Sequence, residues 1–398
     1  RVGRVDRAPA WDGPDRDRAM KVLAALSGGV DSSVAAAMLI DEGHEVVAAT
    51  LKLWGGASDT GCCSVADVED ARRSATQLGI DHHVFNYTDA FDRHVVEPYV
   101  ADHVAGRTPN PCIECNRHLK IDALLRRAEV LGFDAVATGH HARRLQMADG
   151  SWRIGRGQDP AKDQSYVLYT VTSADLDGVL FPIGDMTKPE VRSVAAEREL
   201  RTAGKPESQD VCFITRSEGR EAFLARRVEL HPARVVDRGG VEVGSTGAVE
   251  TVTIGQRKGL NLAGGVGRRF VTSVDVRGRT VTVGEAADLL VDASQVGSVV
   301  WPTGVPEAAN LPGGLEVLVQ CSAHGDAVPA TLRLGDGDGD GDVVVEWHSP
   351  QAKVAPGQAM VFYRPVGPHR DPGRAAAGHA ANAGADEIVV GGGTSLAN

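Results

Sequence analysis

An apolar run followed by two glycines stands near the start of the chain, in the stretch Lys21-Val22-Leu23-Ala24-Ala25-Leu26-Ser27-Gly28-Gly29-Val30-Asp31-Ser32-Ser33. Residues 21–26 predict a buried strand and residues 32–42 a helix. Glycines between them let the backbone approach a phosphate closely, and a helix N-terminus with serine hydroxyls offers hydrogen-bond donors to an anion. The stretch is not a Walker A loop, because the Gly-Lys-Ser/Thr ending is missing. It therefore predicts either a phosphate-binding loop or a structural strand-to-helix turn with a good N-cap.

Short apolar runs alternate with helical patterns through the rest of the first half. Strands are predicted at residues 45–53, 82–87 and 135–138, and helices at residues 65–78 and 119–131. This alternation is typical of βαβ units and a parallel sheet, in which ligands lie at the carboxyl ends of the strands. The predicted fold class of this half is α/β.

Beyond about residue 230 the pattern changes to Val-rich runs separated by glycines. Regularly spaced short strands of this kind indicate small β-barrels or sandwiches, one before about Glu285 and one after it. The Gly-Asp alternation at 336–342 is predicted as a solvated hairpin tip rather than a calcium repeat, and the Gly/Ala-rich segment near 367–386 as an inserted loop. Strands are predicted at residues 233–237, 249–254, 270–276, 280–283, 315–319, 343–347 and 359–363.

Length and composition exclude several classes of protein. A chain of 398 residues is expected to form two or three domains, and 42% hydrophobic with 24% charged residues is typical of a soluble globular protein. No apolar run reaches the roughly 18 residues of a membrane span. Six sparse cysteines indicate a reducing cytosol rather than a disulfide scaffold. Residues 1–19 match neither a signal peptide nor a transit peptide, so we expect a cytoplasmic protein, with Met20 a candidate start.

Charge is distributed unevenly along the chain. A net charge of −11 argues against nucleic-acid binding by bulk attraction. Residues 255–279, however, hold six basic side chains against one acidic side chain. This basic segment predicts either a solvated face or a local contact with nucleic acid.

Three cysteines are candidates for chemistry. Cys112 and Cys115 form a CxxC pair in a proline-rich loop before the helix predicted at 119–131. A thiol near a helix N-terminus is shifted toward the thiolate, which is the nucleophilic and metal-binding form. The alternatives are half of a structural zinc site, for which no second pair lies close in sequence, or two inert thiols. Cys212, taken alone, is typical of a buried core cysteine.

Taken together, these motifs resemble one family, the bacterial tRNA-specific 2-thiouridylases of the PP-loop ATP pyrophosphatase superfamily. The resemblance implies an enzyme that installs sulfur at C2 of the wobble uridine, position 34 of tRNA. It also implies a PP-loop domain over residues 20–218, a small central tRNA-binding domain over 219–285 and a C-terminal β-barrel over 286–398. The motifs occur in order as SGGVDSS (27–33), GCCS (61–64), TPNPCIECN (108–116), ATGHHAR (137–143), KDQSY (162–166), SQDVCFI (208–214) and TIGQRKGL (253–260).

The same resemblance implies the functional residues. Cys115 falls on the nucleophile and Cys212 on the persulfide-carrying cysteine, while Asp31 is expected to face Mg²⁺ or phosphate. The implied ATP site comprises Ala25, Leu26, Ser27, Gly28, Gly29, Val30, Asp31, Ser32, Leu51 and Gly139. The implied tRNA contacts are Asn110, Pro111 and Cys112 at the target uridine, with Lys162, Asp163, Gln164, Gln320 and Cys321 elsewhere.

Two schemes for sulfur transfer follow from the resemblance. ATP with Mg²⁺ adenylates the C2 oxygen, and in the first scheme Cys212 then delivers persulfide sulfur while Cys115 closes a disulfide with it. In the second scheme Cys112, Cys115 and Cys212 ligate an iron–sulfur cluster with one open iron. The implied partners are tRNAs with Lys, Glu and Gln anticodons and a sulfur-donor protein, either a cysteine desulfurase or a sulfur relay.

The sequence departs from the family pattern at three places. Many members have Asp at the position of Cys112, which gives this chain a third thiol near the predicted site. Gln320-Cys321-Ser322 stands where an Arg-rich tRNA contact is expected, and Val252 replaces a usual aromatic residue. These departures affect the barrel contacts more than the chemistry.

Three alternative functions are weighed against the resemblance. Another PP-loop enzyme that adenylates a small acid or amide would keep SGGVDSS but would not need the CxxC pair and Cys212. A different tRNA sulfurtransferase would lack the β-rich second half. A zinc-stabilised RNA-binding module would use the CxxC pair and the basic segment, but it leaves the glycine-containing loop unexplained.

Overall fold

A five-stranded parallel sheet forms the centre of the N-terminal half, in the order β3 (His82–Asn86), β2 (Glu45–Lys52), β1 (Lys21–Ala25), β4 (Ala135–Ala137) and β7 (Val179–Leu180). The computed structural model describes residues 19–54, 65–206, 211–214, 219–263, 267–310, 312–335, 342–366 and 386–397. The predicted α/β class is confirmed. The strands of this half are β1 (Lys21–Ala25), β2 (Glu45–Lys52), β3 (His82–Asn86), β4 (Ala135–Ala137), β5 (Ala142–Gln146), β6 (Trp152–Arg156) and β7 (Val179–Leu180).

Helices cover the sheet. The first helix, α1, is buried on two sides, because Ala36 and Leu39 pack in the cluster beneath the sheet while Val34 packs on α8. This double burial explains why residues 34–40 of α1 are all apolar. The helices are α1 (Val30–Asp41), α2 (Val65–Leu78), α3 (Thr88–Phe91), α4 (Glu97–Val104), α5 (Pro111–Cys115), α6 (Leu124–Val130), α7 (Ser173–Leu176), α8 (Lys188–Glu197) and α9 (Gly219–Ala225). π-Helical segments, Asp92–Val96 and Asn116–Ala123, join α3 to α4 and α5 to α6.

The helix predicted at 119–131 begins earlier than expected, at Pro111. Asn110 caps it, because its side-chain oxygen accepts a hydrogen bond from the backbone N–H of Cys112 at 3.1 Å. Proline is favoured in the first turn, where its missing N–H has no helical partner. The CxxC pair therefore lies inside the first turns of a helix and not in a loop before it.

A four-stranded sheet follows, in the order β10-β11-β8-β9. Its strands are β8 (Ala233–Val236), β9 (Glu242–Thr246), β10 (Phe270–Asp275) and β11 (Thr280–Gly284). The strand predicted at 249–254 is wrong, since Val249–Thr251 forms a short 3₁₀ turn. Val249 and Val252 are buried in the core of this sheet while the carboxylate of Glu250 binds His231, and a turn satisfies both requirements where a strand would not.

The last part of the chain closes into a six-stranded barrel. Its strands are β12 (Leu290–Val300), β13 (Leu315–Gln320), β14 (Val328–Leu334), β15 (Val343–Ala352), β16 (Ala359–Val366) and β17 (Asp386–Ser395), and pairing of β12 with β17 closes the ring. The hairpin β5–β6, which lies within the predicted PP-loop domain, joins this sheet through the pair Ile388 and Gly155. The predicted hairpin tip and the inserted loop fall at 336–341 and 367–385, outside the described residues. No helix in the described ranges is both long and apolar enough to span a membrane.

Candidate active site

The loop at residues 27–29 connects β1 to α1 and has no room for larger side chains at Gly28. Its φ of +73° lies in the left-handed region, and an added Cβ would lie 2.4 Å from the carbonyl oxygen of Asp67. The hydroxyls of Ser27 and Ser32 lie 3.3 Å apart, and Ser32 Oγ also donates to the carbonyl of Gly29 at 3.1 Å. The loop is thus a rigid turn with two hydroxyls at the N-terminus of α1.

Gly139 follows β4 and packs directly on the first turn of α1. A Cβ at this position would lie 2.5 Å from the backbone nitrogen of Ser32. Leu51, near the carboxyl end of β2, is buried, and Leu26 hydrogen-bonds across to Ala49. The residues predicted to bind ATP therefore meet at the carboxyl edge of the sheet, which is where parallel sheets bind ligands.

Asp31, in the first turn of α1, is held by two cationic or hydrogen-bonding partners. Lys188 Nζ lies 2.8 and 2.7 Å from its two carboxylate oxygens, and His141 Nε2 lies 3.2 Å from Oδ1. Burial opposes ionisation of Asp31, but the hydrogen bonds from His141 and Lys188 outweigh it and hold the pKa below its usual value.

Lys188 was not predicted as a site residue. It is 8% exposed and stands at the start of α8, far from the loop in sequence. The pattern Thr187-Lys188-Pro189-Glu190 predicts a capped helix start, but nothing local indicates a buried ammonium. His141 lies in the motif at 137–143, where the sequence assigned it no role.

Cys115 of the CxxC pair and Cys212 belong to the apolar cluster that packs on one face of the sheet. Cys115 is buried and Cys212 half-buried, and both pack in one apolar cluster with Leu51 and Phe213. Cys112 is half-buried, and the four described cysteines are thiols and not disulfides. Within the described part of the chain, no three His, Cys, Asp or Glu side chains are grouped so that they could hold a metal ion. Cys62 and Cys63 lie outside the described residues.

Thr108, just before the helix that contains the CxxC pair, hydrogen-bonds to both the middle part of the chain and the C-terminal barrel. The backbone N–H of Thr108 donates to the carbonyl of Pro356 in the barrel at 2.7 Å, and its hydroxyl donates to Thr253 Oγ1 at 3.2 Å. Deeper in the same junction, His103 Nδ1 lies 3.1 Å from the carbonyl of Glu250. The predicted uridine pocket thus lies where the three parts of the chain meet.

Several predicted tRNA contacts are engaged inside the protein. Asp163 Oδ1 accepts a hydrogen bond from the backbone N–H of Gly157 at 2.9 Å, and its Oδ2 accepts from the hydroxyl of Ser165 at 2.7 Å and from Arg156 at 2.9 Å. Gln320 is 4% exposed and its side-chain oxygen accepts from Arg156 at 2.8 Å. These two residues therefore fix Arg156 in the described arrangement.

The other predicted contacts, Lys162, Gln164 and Cys321, are all half-buried. The side chain of Gln164 accepts from the backbone N–H of His141 at 2.9 Å. Burial raises the pKa of the Cys321 thiol to about 12, which keeps it protonated at neutral pH.

The basic segment is exposed on the four-stranded sheet and its loops. All six of its basic side chains lie on the surface or partly on it, and Arg269 pairs with Glu285 at 3.0 Å. Arg268, Arg277 and Arg279 are exposed. This geometry fits a contact with a polyanion.

Comparisons with known proteins match nearly the whole described chain. Family models described as the tRNA methyl transferase HUP domain, the tRNA methyl transferase PRC-barrel domain and the aminomethyltransferase beta-barrel domain match residues 20–216, 221–285 and 292–367. A solved 4-thiouridine synthetase–RNA complex with bound ATP is 22% identical, with a TM-score of 0.34 over 49% of this chain and 45% of the other.

Curated relatives are much more similar. The tRNA-specific 2-thiouridylase MnmA of Mycolicibacterium smegmatis is 45% identical over 87% of this chain and 96% of its own length. The corresponding protein of Rhodococcus erythropolis is 46% identical over 87% of this chain and 94% of its own length. With this identity over nearly the full length of both relatives, the chain belongs to the tRNA-specific 2-thiouridylase family.

Proposed function

We propose that this protein is a tRNA 2-thiouridylase, which uses ATP to adenylate C2 of the wobble uridine and then transfers sulfur to that carbon. The observation that carries the proposal is that Cys115 and Cys212, far apart in sequence, belong to one apolar cluster that also contains Leu51. Two matching family models are described as tRNA methyl transferase domains, but two thiols in one apolar cluster, in a chain that also has a glycine-containing loop at the start of α1, favour sulfur chemistry. The curated relatives carry the same assignment.

The first proposed step is adenylation. The uridine C2 oxygen attacks the α-phosphorus of ATP, an O–P bond forms, and the bond to the β-phosphate breaks to release pyrophosphate. A carbonyl oxygen is a poor leaving group, whereas AMP is a good one. The tight turn at Gly28 and the first turn of α1 support this step, because helix N-terminal amides stabilise phosphate charge.

The second proposed step transfers sulfur. The terminal sulfur of a Cys212 persulfide attacks C2, and the C2–O bond breaks to release AMP. The thiolate of Cys115 then attacks Sγ of Cys212, so that a Cys115–Cys212 disulfide forms and the thiocarbonyl is released. A thiol reductant must return the disulfide to two thiols, and a sulfur-donor protein must recharge Cys212. The shared apolar cluster supports this pairing.

The cysteine arrangement favours the persulfide scheme over the cluster scheme. Cys112, Cys115 and Cys212 are all described, and they do not form a three-ligand group for a single metal ion. The persulfide scheme needs only Cys115 and Cys212, which share one apolar cluster, whereas an iron–sulfur cluster needs all three thiolates to converge.

The predicted carboxylate for Mg²⁺ is also engaged. Both oxygens of Asp31 accept from Lys188, and one of them also faces His141. A divalent cation would have to displace an ammonium from this carboxylate, so we assign no Mg²⁺-dependent step to Asp31.

We further propose that tRNA lies across all three parts of the chain. The exposed basic segment would contact phosphates, and the wobble base would leave the anticodon stack to reach Cys112 and Asn110 at the start of α5. Lys162 is half-buried, so its side chain is partly accessible for such a contact. Contacts of Gln164, Asp163, Gln320 and Cys321 with tRNA stay predictions.

Separate measurement of the two steps tests the proposal. Purified protein should release pyrophosphate from ATP only when an unmodified substrate tRNA is present, and it should form 2-thiouridine when a persulfide donor is added. Cys115→Ala and Cys212→Ala should keep the pyrophosphate release and lose thiolation, whereas Asp31→Ala should lose both. Release of pyrophosphate without tRNA would favour a small-molecule adenylating enzyme, and no ATP turnover would favour an RNA-binding module.

A further inference from the structure

A buried lysine reaches the glycine-containing loop from a distant part of the chain. Lys188 lies 157 residues from Asp31 in sequence, yet its ammonium contacts both carboxylate oxygens. The ion pair is placed at the N-terminus of α1, a helix of 12 residues whose first turn also contacts Gly139. A buried ion pair contributes little net stability compared with apolar packing of the same volume, so this one favours a role in binding.

The loop itself carries no basic residue. Residues 27–33 are Ser-Gly-Gly-Val-Asp-Ser-Ser, and they lack the lysine with which Walker A loops bind the β- and γ-phosphates. A triphosphate brings several negative charges into a partly buried site, where backbone amides alone leave much of that charge uncompensated. We propose that Lys188 supplies this missing cation and is a catalytic residue that contacts the phosphates of ATP.

Asp31 holds the lysine ready for this contact. An ammonium is a compact charge with three donors on a flexible stem, so it can bridge a carboxylate and a phosphate. Pairing with Asp31 also places an opposite charge within 2.8 Å of the buried ammonium. His141 adds a second polar group at the same place, since its Nδ1 is buried with no hydrogen-bond partner among the described residues.

Residues 159–164 position both partners of Asp31. The backbone N–H of Lys188 donates to Asp159 Oδ2 at 3.0 Å, and the backbone N–H of His141 donates to the side chain of Gln164 at 2.9 Å. A capping box of Thr187 and Glu190 fixes the start of α8. The ammonium is therefore placed by its own helix and by this neighbouring segment together.

Binding of ATP compared with adenosine tests the role of Lys188. Calorimetric titration of Lys188→Gln should show ATP affinity reduced by about ten- to hundredfold, with adenosine affinity within about twofold of wild type, because removal of a charged hydrogen bond affects only the phosphates. Arg198→Gln is the matched control. Arg198 pairs with Asp41 between the same two helices at their other ends, and its replacement should leave the ATP-to-adenosine ratio unchanged.

The inference rests on the proposed use of ATP, and the two can fail separately. If the wild-type protein binds no ATP, the proposed function fails. If the wild type binds ATP and folded Lys188→Gln keeps the wild-type ratio of the two affinities, only the role of Lys188 is overturned. If Lys188→Gln alone does not fold, the double variant Asp31→Asn with Lys188→Gln, which removes both charges, replaces it in the same titrations. Failure of both variants to fold would assign the pair a structural role and overturn the proposal.

Discussion

Replacing Gly139 by alanine tests whether the end of β4 sets the position of the turn at residues 27–29, which we propose binds phosphate. The added Cβ would lie 2.5 Å from the nitrogen of Ser32, 2.7 Å from the carbonyl carbon of Asp31 and 2.8 Å from Cα of Ser32. All three are backbone atoms, and ordinary contacts begin at 3.4 Å, so the first turn of α1 would have to move by about 0.9 Å.

Both stability and catalysis should respond to this displacement. Overpacking of this kind costs about 1–3 kcal/mol of folding free energy, and each kcal/mol lowers the unfolding midpoint by about 2–4 °C in a domain of about 200 residues. A misplacement of about 1 Å can slow an enzymatic reaction about a hundredfold. We therefore expect Gly139→Ala to unfold several degrees below wild type and to release pyrophosphate about a hundredfold more slowly.

The assay combines thermal unfolding with tRNA-dependent pyrophosphate release. Gly204→Ala is the matched control in the same half of the chain, because an added Cβ there meets no atom within 4 Å. It should retain both the wild-type midpoint and the wild-type rate. Wild-type behaviour of Gly139→Ala in both measurements would refute the reasoning, since it would show that the close approach of Gly139 does not position the turn.

Three further changes are expected to have measurable effects. Replacing Arg268 and Arg269 by Ala should weaken tRNA binding and reduce the slope of log affinity against log salt by about 0.9 for each phosphate that is no longer neutralised; an unchanged slope would mean that neither charge touches a phosphate. Cys112→Ala should thiolate tRNA normally from a persulfide donor, whereas loss of thiolation together with loss of iron after anaerobic reconstitution would support the cluster scheme. Burial lowers the pKa of His103 from 6.5 to about 4. Between pH 6.5 and pH 4 the unfolded state therefore binds more protons than the folded state, and the free energy of unfolding falls by about 3 kcal/mol as the pH drops through this range. The unfolding midpoint of His103→Gln should therefore vary less between pH 6.5 and pH 4, and an equally steep dependence would contradict this.

The parallel sheet could be predicted because its signals are local. Each of its main strands is a short apolar run, and the two glycines of the loop occur directly after the first of them. Sequence order alone then brings Leu51 and Gly139 to the carboxyl edge, since parallel strands end on the same side. The CxxC pair was a candidate from its place near a predicted helix, the roles of Cys115 and Cys212 came from the family resemblance, and the structure adds that these two cysteines share one apolar cluster.

The parts that were missed depend on contacts between distant residues. The ammonium of Lys188 acquires its role only when α8 packs on α1, and no property of its neighbours in sequence indicates this. The hairpin β5–β6 was missed because its arginines obscure the alternation of apolar residues. Arg143 and Arg156 are compensated by Asp386 and Glu387, near the opposite end of the chain. The Val-rich run at 249–254 was misread because a strand and a buried turn share the same composition.

Pairing of the hairpin β5–β6 with β17 constrains the order in which the protein folds during its synthesis. Glu387 is synthesised 231 residues after Arg156, its ion-pair partner. At about 5–20 residues per second, the ribosome needs about 10–50 s to cover this distance, so the N-terminal half must wait for that long with β6 lacking its neighbour in the barrel. During this interval an edge strand that carries unpaired backbone groups is exposed to other nascent chains. The last strand of the barrel thus completes the catalytic half as well as its own ring.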